Sequence, residues 1–154
     1  LLVVVKSISK SYGVPGLRLG VLASSDKDLI QQIRKDVSIW NINSFAEFYM
    51  QIFNKYEADY KLGCENFVKE RKRFFKSLSK ISYLRVIPSQ ANYFLCEITG
   101  RYTSTELTSL LLSKYNILIK DCGTKKAFSK GEYIRIAIRS TEDNDYLVHA
   151  LNSL

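Results

Sequence analysis

The sequence predicts an α/β protein: a strand–turn–strand and a short helix first, then a long helix, then a small sandwich of strands and helices. Three observations carry this. An apolar run, Leu1 to Val5, passes through a turn containing Gly13, Pro15 and Gly16 into a second apolar run, Leu17 to Ala23, the pattern of a strand that returns on itself. From Phe45 to Lys80 the apolar residues recur every three and four positions, the period of a helix. Beyond Ser82, short runs of β-branched and aromatic residues alternate with capped helical segments, which predicts helices on one side of a small sheet.

Taken in order, Ser25 is expected to cap a helix with Asp28 at its third position, and Leu29, Ile30 and Ile33 form its apolar stripe before an end near Lys35. Trp40 is either a buried anchor at the entry of the next helix or a pocket residue, and Asn43 or Ser44 caps that helix. Along it Ala46, Tyr49, Phe53, Tyr56 and Tyr60 share one stripe, and Gly63, which costs about 1 kcal/mol relative to alanine, predicts a break or bend. Strands are expected at 84–87 and 93–98 around Pro88 to Asn92, at 117–119, and at 133–138. Thr103-x-x-Glu106 is a capping box for a helix carrying Leu107, Leu110, Leu111 and Tyr115; Ser140 opens the last helix, whose apolar face is Leu147, Ala150 and Leu151. The expected division is 1–44, 45–81 and 82–154.

Composition narrows the function classes. A 154-residue chain with 46% hydrophobic and 25% charged residues has the makings of a globular domain rather than a disordered one. Its longest apolar run is far too short for a membrane span, and no secretory leader pattern is visible. The three cysteines, Cys64, Cys96 and Cys122, form neither a metal spacing nor a disulfide framework, which points to a reducing cytoplasm. The net charge of +8 allows nucleic acid, an anionic surface or a phosphorylated ligand. Its densest stretch, Lys69 to Lys80, alternates with Phe67, Phe74, Phe75 and Leu78 at helical spacing, so it reads as the solvated face of a helix and not as a nucleic-acid or membrane patch. His149 has no second ligand at metal spacing.

The chemistry concentrates in Ser7-Ile8-Ser9-Lys10-Ser11-Tyr12-Gly13-Val14-Pro15-Gly16-Leu17-Arg18-Leu19-Gly20. Two hydroxyls and a guanidinium suit a phosphate, because arginine presents a planar fork of donors to anionic oxygens. A lysine beside such a site is placed to react with an aldehyde cofactor. This stretch resembles the cofactor-lysine signature of fold-type I aminotransferases, which use pyridoxal 5′-phosphate (PLP), and in particular the branch of histidinol-phosphate aminotransferase and threonine-phosphate decarboxylase. Trp40-Asn41-Ile42-Asn43-Ser44 resembles a Trp-Asn-Val-Asn-Ser segment of that branch, with Ile39 where a proline is usual. Pro88-Ser89-Gln90-Ala91-Asn92-Tyr93-Phe94, Ile119-Lys120-Asp121-Cys122, the Tyr133 to Arg139 strand and Glu142-Asp143-Asn144-Asp145 continue the resemblance.

The resemblance implies that 1–44 is the end of a large PLP-binding domain, 45–81 a linking helix, and 82–154 the small C-terminal α/β domain. It further implies Lys10 as the catalytic, cofactor-bearing residue, Ser7, Ser9 and Arg18 as phosphate ligands, and Arg135 as the substrate carboxylate clamp; Asn92 either lines the pocket or caps the start of its strand. Arg139 either meets a second anionic group on the substrate or pairs with Glu142 or Asp143. Arg135 lies among Ile134, Ile136 and Ile138, and is read as a charge in apolar surroundings that needs a partner. Burial and neighbouring cations are expected to favour the neutral Lys10 amine. The implied reaction is amino transfer between an amino acid and a 2-oxo acid in a cytoplasmic homodimer. Decarboxylation of a phosphorylated amino acid is the alternative within the enzyme class, and a basic interaction module the alternative outside it. The earlier part of such an enzyme, with the ring-nitrogen partner and a Gly-rich phosphate loop, is not in these 154 residues, so the isolated chain is expected to be inactive.

Overall fold

A computed structural model describes residues 2–123, 125 and 131–154. The chain divides into two compact units, Leu1–Cys64 and Glu65–Leu154.

In the first unit, β1 (Val3–Ser7) and β2 (Gly20–Ser24) form an antiparallel pair in which Ser7 faces Gly20. Leu1, the first residue of the expected strand, lies outside the described residues. Between the strands the chain makes one turn of helix, α1 (Ile8–Ser11), and a 3-10 turn over Pro15–Leu17. Arg18 therefore stands before the returning strand rather than inside it. α2 (Lys27–Asp36) carries Leu29, Ile30 and Ile33 half-buried as expected, but Asp26 is its cap, accepting from the Leu29 N–H at 2.9 Å. Ser25 is displaced from that role because Ser24 Oγ already accepts the Asp26 N–H at 3.2 Å, fixing the turn one residue later. Trp40 is 88% exposed, which removes the buried-anchor reading.

The expected helix from Phe45 to Lys80 comes in three pieces. α3 (Ser44–Ile52), capped by Asn43, passes into a 3-10 turn over Phe53–Tyr56 and then into α4 (Glu57–Leu78). The interruption falls at Phe53–Tyr56 and not at Gly63, which sits inside α4 with open space where a Cβ would be. The 3-10 turn lets Phe53 meet Tyr12, Tyr49 and Tyr60 at ring-centroid distances of 5.1, 5.8 and 5.9 Å, a cluster of edge-on and tilted rings that offsets the lost helical bonds.

The second unit is a four-stranded antiparallel sheet of β3 (Leu84–Val86), β4 (Tyr93–Ile98), β5 (Lys120–Asp121) and β6 (Glu132–Ala137), in the order β3-β4-β6-β5. Phe94, Cys96 and Ile98 of β4 and Ile134 and Ile136 of β6 point to one face. There Phe74 and Leu78 of α4, Leu107 and Leu111 of α5 (Ser104–Tyr115), and Leu147, Ala150 and Leu151 of α6 (Thr141–Asn152) complete the core. The Thr103–Glu106 capping box and the Ser140 cap both form. The strand expected at 117–119 does not. Asn116 turns in the left-handed region at φ 55°, and the Ile117 N–H closes α5 on the Leu111 carbonyl at 3.1 Å, so the ladder begins only at Lys120. Ile117 and Ile119 pack on the core from outside the sheet.

A partly buried polar knot joins α4 to α6. Glu70 accepts from Arg73 through two 2.8 Å bonds, from Asn144 Nδ2 at 2.7 Å and from Thr141 Oγ1 at 3.1 Å. The Arg73 guanidinium, with help from Asn144 and Thr141, holds the Glu70 carboxyl down at about 2.

Candidate functional site

The residues with site chemistry fall into two sets, one in each unit. In the first unit, Ser7, Ser9, Lys10 and Arg18 all lie on the link between β1 and β2. Ser7 ends β1 with extended backbone and makes no side-chain cap to α1. Ser9 is half-buried, whereas Lys10 and Arg18 are exposed. The expectation of a buried Lys10 fails for this chain because α1 rides on the rim of a two-stranded sheet. Among the described residues the Ser7 and Ser9 hydroxyls and the Lys10 amine meet no protein partner. Arg18 commits one guanidinium nitrogen to the Pro15 carbonyl at 3.3 Å.

The link itself is closely held. Val14 donates to the Ser9 carbonyl at 3.0 Å and Ile8 to the Leu19 carbonyl at 3.0 Å, while Gly13 takes φ 68°, a conformation open to glycine without a Cβ penalty. From below, the Tyr60 hydroxyl donates to the Ser11 carbonyl at 2.8 Å, and the Tyr12 ring stacks on Tyr60 at 4.9 Å. The Cys64 side chain hydrogen-bonded to Tyr60, with burial second, pushes that phenol up to about 12, so it remains a donor throughout the neutral range. Asn43 Nδ2 donates to the Leu17 carbonyl at 2.9 Å. Spacing alone marked Asn43 as a cap candidate and Tyr60 as a stripe residue; neither tether was visible in it, since the bonded partners are 26 and 49 residues away.

In the second unit Arg135 lies on the sheet face opposite the core, exposed, with its guanidinium carbon 5.1 Å from the centroid of the Tyr93 ring. Strand alternation sends Ile134 and Ile136 inward and Arg135 outward, so the reading of Arg135 as a charge in apolar surroundings is corrected. It is a solvated cation resting on an aromatic face, a contact worth about 0.5–1 kcal/mol at exposed sites. Asn92 is exposed and uses its carbonyl to accept the Ile138 N–H at 3.0 Å. Arg139 stands beyond the end of β6, pairs with Asp143 at 2.8 Å, and holds the Asp143 carboxyl below its usual range. Burial pushes the Cys96 thiol up to about 12, and the cysteines are all free. Among the described residues no cluster of His, Cys, Asp and Glu could hold a metal, and no helix is long and apolar enough to cross a membrane.

The first set holds residue types that suit an anionic, carbonyl-bearing ligand. Hydroxyls and a guanidinium fit the oxygens of a phosphate monoester, and an amine fits an aldehyde carbon.

Comparison with known proteins points the same way. The family model for aminotransferase class I and II matches residues 2–151. An L-serine phosphate decarboxylase of Campylobacter jejuni is 32% identical over 151 residues, which is 97% of this chain and 38% of that protein. A solved decarboxylase from Sulfurospirillum multivorans matches with a TM-score of 0.85 and 33% identity, over 98% of this chain and 43% of that one. The histidinol-phosphate aminotransferase of Clostridium acetobutylicum matches with a TM-score of 0.83 and 29% identity, over 98% of this chain and 45% of that one. This chain thus spans less than half the length of the relatives it matches.

Proposed function

The chain belongs to the aminotransferase class I and II family, whose members depend on PLP, and on that premise we propose that it is the C-terminal, lysine-bearing part of an enzyme acting at Cα of a phosphorylated amino acid. Its activity is proposed to be decarboxylation. The observation that carries the chemistry is the placing of four donors on one link: Ser7, Ser9 and Lys10 without a protein partner among the described residues, and Arg18 with one guanidinium nitrogen on the Pro15 carbonyl. The choice of reaction draws on the likeness to the phosphoserine decarboxylase of Campylobacter and the decarboxylase of Sulfurospirillum. In this reading 1–44 belongs to a large domain, 45–81 links, 82–154 is the small domain, and the working assembly is a homodimer.

When bound, PLP supplies the electron sink that stabilises negative charge at Cα. The residues of this chain do the rest. Ser7, Ser9 and Arg18 would hold the cofactor phosphate, Arg18 through charge-assisted hydrogen bonds. Lys10 would hold the cofactor aldehyde through Nζ, and the same amine is the group that would take or return a proton at Cα. Asn92, which stands before β4 opposite Ile138, is proposed to line the pocket, and Arg135 orients a substrate anion. Arg139 first has to leave Asp143 before it can bind a second one.

Which anion Arg135 takes depends on the reaction. In decarboxylation the carboxylate loses its charge as the bond breaks, so a guanidinium fixed on it stabilises the ground state more than the transition state. Arg135 then serves the side-chain phosphate. In transamination the carboxylate stays, and a clamp on it orients the Cα–H bond. Amino transfer to a 2-oxo acid is the second reading, favoured by the match to the Clostridium aminotransferase.

The deciding experiment supplies O-phospho-L-serine to the PLP-loaded full-length protein. Release of CO2 with one phosphorylated amine per CO2 is expected. Conversion to a 2-oxo acid that requires 2-oxoglutarate, without CO2, would replace decarboxylation by transamination. Arg135→Ala is expected to raise KM for the substrate about tenfold or more while PLP stays bound; loss of PLP from that variant would remove Arg135 from substrate binding.

A further inference from the structure

Arg18 has an uncommon backbone for a non-glycine residue. It sits in the left-handed region at φ 53°, ψ 40°, between the 3-10 turn and β2, where a Cβ crowds the following carbonyl and costs about 1–2 kcal/mol. Such a conformation persists where its surroundings over-determine it. The φ of Arg18 is the rotation of its Cα relative to the Leu17–Arg18 peptide plane, and the Leu17 carbonyl belongs to that plane. That carbonyl accepts Asn43 Nδ2 at 2.9 Å. On the far side, the Leu19 carbonyl accepts the Ile8 N–H at 3.0 Å. The peptide entering Arg18 is thus held by a side chain, and the Leu19–Gly20 peptide, one residue further on, is held by backbone.

Asn43 is itself fixed. Its Oδ1 caps α3 by accepting the Ala46 N–H at 3.0 Å, and Ala46 is fully buried. A single amide therefore reads the start of α3 with its oxygen and the Arg18 peptide with its nitrogen, a use of both ends that no other capping residue type reproduces: aspartate, serine and threonine can cap, but only the amide presents an acceptor and NH2 donors at opposite corners of one plane.

We propose that Asn43 is a positioning residue for the cofactor phosphate: it sets the backbone of Arg18, and through it the direction from which the guanidinium meets the phosphate. The inference rests on the phosphate role of Arg18 and goes beyond it by assigning the orientation of that residue to a side chain 25 positions away. It also explains the choice of residue at the cap. Asn43→Asp keeps the cap and removes the donor, placing a carboxylate against the Leu17 carbonyl. A helix-capping role alone predicts no loss from that change; the positioning role predicts a loss confined to phosphate recognition.

The test measures equilibrium affinity of the full-length apoprotein for PLP and for pyridoxal, which lacks the phosphate, by absorbance titration. In Asn43→Asp the preference for PLP over pyridoxal is expected to fall about tenfold, the pyridoxal affinity and the melting temperature staying close to those of the parent. Asn43→Ser, which also caps but cannot reach the carbonyl with a donor in the same plane, is expected to fall similarly. Arg18→Ala in parallel tests the underlying reading and is expected to lose more of the preference than either. If Arg18→Ala lowers the preference and Asn43→Asp does not, the Asn43 inference is wrong and the phosphate site stands. If Arg18→Ala leaves the preference unchanged, the phosphate site itself is wrong and the inference goes with it. A matched fall for both ligands together with a lower melting temperature would mean that Asn43 serves the fold and not phosphate recognition, and would overturn the inference.

Discussion

The two units use apolar residues in opposite ways. In Glu65–Leu154 they are inside: Phe74, Phe94, Leu107, Leu111, Ile134, Ile136 and Leu151 are nearly or wholly inaccessible. In Leu1–Cys64 the buried hydrophobic residue among those described is Ala46, whereas Leu2 and Val5 are 71% and 75% exposed and Val4, Val21 and Leu22 are open as well. The strands of both units are rich in apolar residues, so the difference is one of coverage. A sheet with three helices on one face closes its own core. A two-stranded pair with both faces open is marginal on its own. The donors proposed to hold the cofactor sit on the open unit, and its stability is expected to be the lower of the two.

The largest expected effect is in the closed core. Phe74→Ala should destabilise Glu65–Leu154 by about 3–5 kcal/mol, through lost transfer energy and the cavity left behind. Val5→Ala, at an exposed site, should change stability by less than about 0.5 kcal/mol. Denaturant unfolding followed by a core-sensitive signal checks both. Equal effects would mean that the two units share one core, and the comparison would fail.

The next effect sharpens how the closed unit is locked. The folded-state pKa of Glu70 lies below its unfolded value, at about 2. Its contribution is therefore present above the ordinary glutamate pKa and is lost as pH falls toward about 2. Glu70→Gln is expected to cost about 1.5–3 kcal/mol at pH 7, where the charged bonds to Arg73 are weakened, and much less at pH 2–3. A cost independent of pH would mean that packing, and not the carboxylate, joins α4 to α6.

The smallest effect concerns the helix that runs through the boundary between the units. Gly63 has a helical backbone and free space at its Cβ position, so Gly63→Ala should stabilise by about 0.5–1 kcal/mol. Destabilisation would show that the helix needs to give way there.

Legibility in the sequence followed the range of the interactions. Thr103 and Glu106 cap one another across three residues, Asn43 and Ser140 cap their own helices, and β4 begins and ends where alternation put it. These are local, so spacing reveals them. The 3-10 turn at Phe53–Tyr56 preserves the apolar rhythm and leaves periodicity unchanged, and so was hidden; Gly63 drew attention because propensity ignores what surrounds it. Alternation of Ile134, Ile136 and Ile138 already placed Arg135 on the other face; what it does not say is which face helices cover. The cofactor stretch was legible as chemistry because its residue types are dense within fourteen positions. Its supports, Asn43 to Leu17 and Tyr60 to Ser11, were not, because only folding brings them together.

The central claim is that Lys10 is where the cofactor is held. Reduction of the PLP-loaded full-length protein with borohydride, followed by proteolysis and mass spectrometry, tests it directly. The account predicts one pyridoxyl group, on the peptide containing Lys10, and its absence in Lys10→Ala even where PLP still binds through Arg18 and the serines. A pyridoxyl group on another lysine of the parent protein, or none while PLP is demonstrably bound, would contradict the assignment.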